Sequence, residues 1–285
     1  MTADHRPATA SPDLLAVSLS GLWWIPRALA LGLLAFIIFG PLANLVLWTV
    51  AERWYFPHTL PLEYGVSYWA KVFSPRGNAM ESLANSVLVA SLTVVLALAL
   101  AVPAGYALAR LKLPFRALVL LAFLIPQAFP NLPVYVNIAR LFYQIGLNGT
   151  VAGVVLVHVT HGLVYAVWIA TAAFSAVDRE LEEAARSLGA GALRSFRDVT
   201  LPLAAPGLLA SAVFVFLESL DEFTGSYFVG APDVNLLPLL LYTAGAGGNY
   251  QVASITALLL LVPSIVFMLV VERFLKSDVL SKVGH

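Results

Sequence analysis

The sequence predicts an all-α, polytopic membrane protein with six transmembrane helices and one further helix on the cytoplasmic side. Three observations carry that fold class. Of 285 residues, 60% are hydrophobic and 11% charged, with a mean hydropathy of +0.87, against roughly 45–50% and about 25% in a soluble domain. Six stretches are long and apolar enough to cross a bilayer, and the basic residues crowd into the segments on one side of it. Too few polar side chains remain to cover a water-facing surface, and too many apolar ones for a disordered or collagen-like chain. Lys plus Arg and Asp plus Glu number 16 each, so no net basic field exists to hold nucleic acid. The absence of Cys removes disulfides, thiolate metal sites and cysteine nucleophiles together.

Residues 1–22 open polar and lack an apolar core directly behind a basic segment, so they are expected to be a cytoplasmic N-terminal tail rather than a cleaved signal. Residues 23–285 then form one transmembrane domain. A helix needs about 20 apolar residues to cross a core of about 30 Å. The stretches that qualify lie at 25–51, 86–109, 115–132, 151–176, 203–220 and 254–271. The first of these doubles as the membrane-targeting signal. Trp23 and Trp24 before it, and Trp54 and Tyr55 after it, suit the interfacial belts. The third is the shortest and holds Pro126, Pro130 and Pro133, each lacking a donor and crowding the preceding turn, so it should kink or break near its outer end. With both termini cytoplasmic, the inner segments hold 12 of the 16 basic residues, which is the orientation the positive-inside bias selects.

The longest polar insertion on the inner side, 178–189, reads as a surface helix. Leu181, Ala184, Ala185 and Leu188 recur with helical spacing as an apolar stripe, while Arg179/Glu183 and Glu182/Arg186 stand four apart and can pair. Asp178 can cap its start and Gly189 can end it. Small residues and a near-neutral charge point to docking in a groove of a partner rather than on lipid.

Here the sequence resembles a known family. Glu183-Ala184-Ala185, three residues, Gly189, nine residues, then Val199-Thr200-Leu201-Pro202 matches the EAA loop of permease subunits in bacterial ATP-binding-cassette importers, with Val199 where the pattern has Ile. The resemblance runs from the second span to the sixth. It implies that 178–202 is the coupling loop, seated in a cleft of a separate ATPase, with Glu183 meeting a basic residue there and Gly189 allowing the turn. The alternative is that Glu183 pairs with Arg179 on a solvated face. The chain has no G-x-x-x-x-G-K-[ST] phosphate loop, so it is expected to be non-catalytic, with ATP and Mg bound by the partner. The resemblance further implies a bacterial inner membrane location, a second permease subunit, two ATP-binding subunits and an extracytoplasmic solute-binding protein.

Sugar-importer permeases usually carry an acidic residue just before the motif glycine, whereas this chain has Ser187-Leu188-Gly189. The stretch Glu182–Pro202, then Leu220-Asp221-Glu222-Phe223 and later Pro232 to Pro238, looks most like spermidine/putrescine-type permeases. A polyamine-like cation is therefore the expected solute, with a sugar or other small solute as the alternative and a self-sufficient carrier as a remote one. Glu218, Asp221 and Glu222 would share one face if the fifth span continued through them, giving a negative outer mouth with no nearby Lys or Arg in sequence. The alternative role for these carboxylates is to cap broken helix ends or bond backbone amides. His158 and His161, three apart with no carboxylate near in sequence, read as packing histidines bonded to neighbouring backbone. Gly245, Gly247 and Gly248 read as a turn.

Overall fold

The computed structural model describes residues 24–283, and side chains through Arg273. The expected tail at 1–22 lies outside the described residues. The chain divides into two units at Trp48/Thr49. The first contains helix α1 (Trp24–Thr49), 26 residues with Pro41 inside and apolar side chains exposed all round, as befits a helix whose solvent is lipid.

The second unit begins with a short antiparallel pair, β1 (Ala51–Arg53) and β2 (Glu63–Tyr64), in which Ala51 faces Tyr64. Helix α2 (Ser67–Val72) follows, its first residue tied back to Glu52: the Ser67 amide donates to Glu52 Oε1 at 2.7 Å and the Ser67 hydroxyl to Oε2. These bonds to the charged form hold the Glu52 carboxyl below the usual carboxylate range.

Three helices make the packed centre: α3 (Ala79–Arg110), α6 (Val151–Ser175) and α8 (Ala192–Asp221), the last with a π-helical stretch at Phe196–Thr200. Their shared core is rich in alanine, including Ala97 and Ala101 of α3, Ala166 and Ala170 of α6, and Ala204 and Ala212 of α8. Lipid tails are as apolar as leucine, so membrane helices associate through close van der Waals fit, which small residues permit. Gly105 shows how tight the fit is: a methyl there would lie 2.8 Å from Ala170 Cβ and 2.9 Å from the Thr171 amide nitrogen.

The expected third span is two helices, α4 (Arg116–Ala128) and α5 (Asn131–Ile145), meeting at 92°. Pro130 stands at the corner, where two residues fall outside any helix, so the proline argument located the break. Helical structure does not end at 132, however, but continues through α5 to Ile145. Asn131, Asn137, Arg140 and Gln144 disguise α5 as a loop in the sequence, and Tyr135 is its one buried residue. Among the described residues five helices are individually long and apolar enough to cross a membrane, and six if the bent pair is one span.

Helix α7 (Arg179–Ser187) joins α6 to α8. After α8 come a π turn at Ser226–Gly230, the short apolar helix α9 (Leu237–Ala246) and α10 (Tyr250–Val283). Helix α9 falls between the expected fifth and sixth spans. Its ten residues are too few to cross a bilayer, and Leu237 packs instead with Val72, Ile255 and Leu259. The glycine cluster forms the expected turn, with Gly247 ending α9 and Gly248 at φ +73°.

Candidate functional site

The predicted motif residues lie on α7 and on the entry to α8. Glu183 and Ala184 are exposed, Ala185 is half-buried, and Leu181 and Leu188 are 46% and 90% exposed. The side packed inward is therefore not the apolar stripe. It is marked by Glu182, 6% exposed, whose Oε1 receives Arg110 Nε at 2.8 Å and the Thr200 hydroxyl at 2.7 Å. The Tyr106 hydroxyl reaches Oε2 at 3.4 Å, and Arg186 stands 4.0 Å from the same atom. Arg110 Nη2 also donates to the Val177 carbonyl, and Arg179 to the Ala109 carbonyl. The expected Arg179/Glu183 pair is thus not formed, because Arg179 reaches back to the end of α3. Glu182/Arg186 is at the distance limit of a pair.

The rest of the loop supports this arrangement. Gly189 has φ +89°, a left-handed conformation that favours glycine, and the Ala190 amide donates to the Ala185 carbonyl at 3.0 Å to close the helix end. Leu201 is half-buried against the central core, while Pro202 is exposed near the join of the π-helical and α-helical parts of α8. The geometry is a rigid helix bolted to the bundle by a buried ion pair, with Leu181, Glu183, Ala184 and Leu188 presented outward. Sequence reasoning missed Glu182, Arg110, Thr200 and Tyr106. Arg110, a cation closing an apolar helix, was the one legible signal.

A second constellation lies where α5, α6 and the end of α8 meet. The chain leaves helix after Asp221, and Glu222 takes an extended conformation, so the three carboxylates do not share a face. Glu222 turns inward to 8% exposure, accepting the Gly225 amide at 2.7 Å and the Tyr135 hydroxyl at 3.1 Å. It therefore takes the backbone-bonding role. Glu218 is half-buried and Asp221 exposed. Tyr135 is also in hydrogen-bond contact with His161 Nδ1, which sits 3.8 Å from Glu222 Oε2. His161 thus has the carboxylate partner that its sequence neighbourhood lacked.

His158 is bonded to two side chains: Nδ1 to Ser219 Oγ at 2.7 Å and Nε2 to Ser226 Oγ at 2.8 Å. The Ser226 hydroxyl in turn donates to the Glu222 carbonyl at 2.8 Å. These bonds clasp the π turn to α5, α6 and α8. Gly225 makes room for it, since a methyl there would strike Val157 and the Tyr135 ring. Among the described residues no group of three or more His, Asp or Glu side chains could hold a metal ion.

The family described as binding-protein-dependent transport system inner membrane component matches residues 101–277. The chain belongs to this family. It is a multi-pass inner-membrane permease subunit of an ABC importer, a component whose family is normally non-catalytic and works beside a separate ATPase subunit. The permease is 32% identical over 200 residues to an ABC transporter permease protein of Streptomyces antibioticus, covering 69% of this chain and 87% of that one. It is 31% identical over 204 residues to the trehalose transport system permease protein SugB of Mycobacterium tuberculosis, covering 70% and 74%. A molybdenum ABC transporter permease protein of Haloferax volcanii is 33% identical over 184 residues, covering 62% and 68%. Among solved structures, the permease shares its fold with a chain of a bacterial ABC transporter involved in import of the acidic polysaccharide alginate. The TM-score is 0.64 at 18% identity, covering 95% of this chain and 99% of that one.

Proposed function

We propose that this permease forms half of the translocation pathway of a saccharide importer and that α7 is its cytoplasmic coupling helix. The observation that carries the coupling role is the buried Glu182–Arg110 bolt, which fixes α7 to α3 and α8 while leaving Leu181, Glu183, Ala184 and Leu188 exposed. A helix so mounted passes a push on its outer face into the central bundle. Gly189, Leu201 and Pro202 shape the return of the chain from that helix into α8. The ATPase would bind ATP and Mg. A second permease, two ATPase copies and an extracytoplasmic binding protein complete the assembly. The positive-inside bias supports cytoplasmic termini.

For the solute, the comparisons favour the sugar alternative over the polyamine-like cation. The trehalose permease is among the relatives and the alginate transporter among the structural neighbours. The site supports the same preference: Glu222 is spent on Gly225 and Tyr135, so the negative mouth shrinks to Glu218 and Asp221. The test is ATP-dependent uptake of trehalose and of spermidine by the assembled transporter in vesicles. Trehalose uptake that survives Glu218→Gln and Asp221→Asn supports the reading. Spermidine uptake abolished by those changes restores the cationic one.

A further inference from the structure

A pocket of about 290 Å³ opens between the α2–α3 connection and the segment following α8. Arg76, Asn78 and Ser82 line one side, and Tyr227, Asn235 and Thr243 the other. In sequence the two sides are some 150 residues apart, and α3 is joined to the start of α9 and the segment before it by bonds from Asn85 to the Asn235 carbonyl and from the Leu237 amide to Ser86.

Ser82 is the decisive member. It is 1% exposed, and its hydroxyl has no hydrogen-bond partner. Thr93 of the same helix and Ser211 of α8 are likewise buried without a partner, but of the three only Ser82 lines this pocket. A buried hydroxyl left unpaired is costly unless something else fills its valence. Around it stand groups of one chemical kind. Asn78 has φ +52° and does not cap α3 with its side chain, which leaves its amide beside the pocket. Arg76 is exposed, and among the described residues no carboxylate pairs with it. Asn235 contributes an amide. No acidic residue lines the pocket, which sets it against a cation.

The remaining wall is aromatic. The Tyr227 ring is 44% exposed, and it is held against Phe228, at 5.2 Å between ring centroids, and Phe223, at 5.6 Å. A fixed, half-exposed aromatic face opposite a set of hydrogen-bond donors suits the C–H face and hydroxyls of a sugar ring. The volume lies at the low end of small-molecule pockets, about 300–1,000 Å³, which fits about one ring rather than an oligosaccharide.

We infer that this pocket is a saccharide-binding site of the permease itself, taking one neutral or carboxylate-bearing sugar ring on Tyr227 with its polar edge toward Arg76, Asn78 and Ser82. The inference rests on the saccharide reading above. It is separate from the buried clasp and from the coupling helix.

The test is titration of the assembled transporter in nanodiscs with trehalose, glucose and glucuronate, followed by ligand-observed NMR, beside uptake by the same preparation. Saturable binding of at least one sugar is expected, weakened about tenfold by Tyr227→Ala and measurably by Ser82→Ala. Unchanged melting temperature in Ser82→Ala separates a lost contact from a misfolded protein. Binding equal in wild type and both variants places the sugar elsewhere and overturns the inference, as does no binding of any of the three. If saccharide uptake persists in either case, the pocket fails and the saccharide importer stands. If the transporter moves spermidine and no sugar, both fail.

Discussion

Replacing Glu182 by Ala should release the coupling helix from the bundle without unfolding the bundle. Glu182 and Arg110 have side chains 8% exposed each and lie 2.8 Å apart, and Thr200 donates to the same carboxylate at 2.7 Å. Removing one partner of a buried pair costs about 3–5 kcal/mol, because the other charge is left uncompensated. Arg110 keeps its bond to the Val177 carbonyl, which argues for the lower end, about 3 kcal/mol. At about 1.4 kcal/mol per tenfold, the ratio of attached to released α7 falls on the order of 100-fold. The amides of residues 179–200 should then exchange with deuterium about 100-fold faster in the assembled transporter. Substrate-stimulated ATPase activity should fall with them, while the amides of α3 and α6 keep their protection. Glu182→Gln retains an acceptor and should lose less, since charge-assisted bonds are about twice as strong as neutral ones. Arg110→Ala should copy Glu182→Ala, and the double variant should be little worse than either. Exchange within about twofold of wild type in Glu182→Ala would refute the bolt, because a pair worth about 3 kcal/mol cannot be removed so quietly.

Gly189→Val puts a β-branched residue at φ +89° and should cost about 1–3 kcal/mol of local strain, lowering uptake while membrane content, read by immunoblot, stays at wild-type level. Glu183→Ala, on the exposed side of α7, should cut uptake and co-purification with the ATPase without moving the melting temperature; a lowered melting temperature with normal ATPase binding would contradict the docking role. Glu222→Ala strips the Gly225 amide and Tyr135 hydroxyl of their acceptor and should destabilise the π turn by about 1–3 kcal/mol, seen as faster exchange across 222–236, with Glu222→Gln milder. Because the Glu52 carboxyl is held below its usual range by Ser67, its contribution is complete above the unfolded value and is lost as pH falls through the folded one. Exchange at the Ser67 amide should therefore rise on acidification beyond its intrinsic pH trend, and Glu52→Gln should abolish that extra rise.

The sequence by itself determined the class, the spans and the family. Bilayer crossing requires runs of apolar residues along one segment, and the EAA spacing is likewise a local pattern, so both are written in consecutive positions. Pro130 marked the break in the third span for the same reason, since a missing donor acts on its own turn. The tertiary structure alone decided what those elements hold together. Glu182 finds Arg110 across 72 positions, Tyr135 finds Glu222 across 87, and Arg76 joins Tyr227 in one pocket. Helical periodicity marked an apolar stripe on α7 for a partner, and Leu181 and Leu188 are indeed left exposed, but nothing in that spacing marked Glu182 on another face as buried, where the bundle offers it an arginine and a hydroxyl. Desolvated charges are settled by their partners in space, and no spacing along the chain records where those partners arrive.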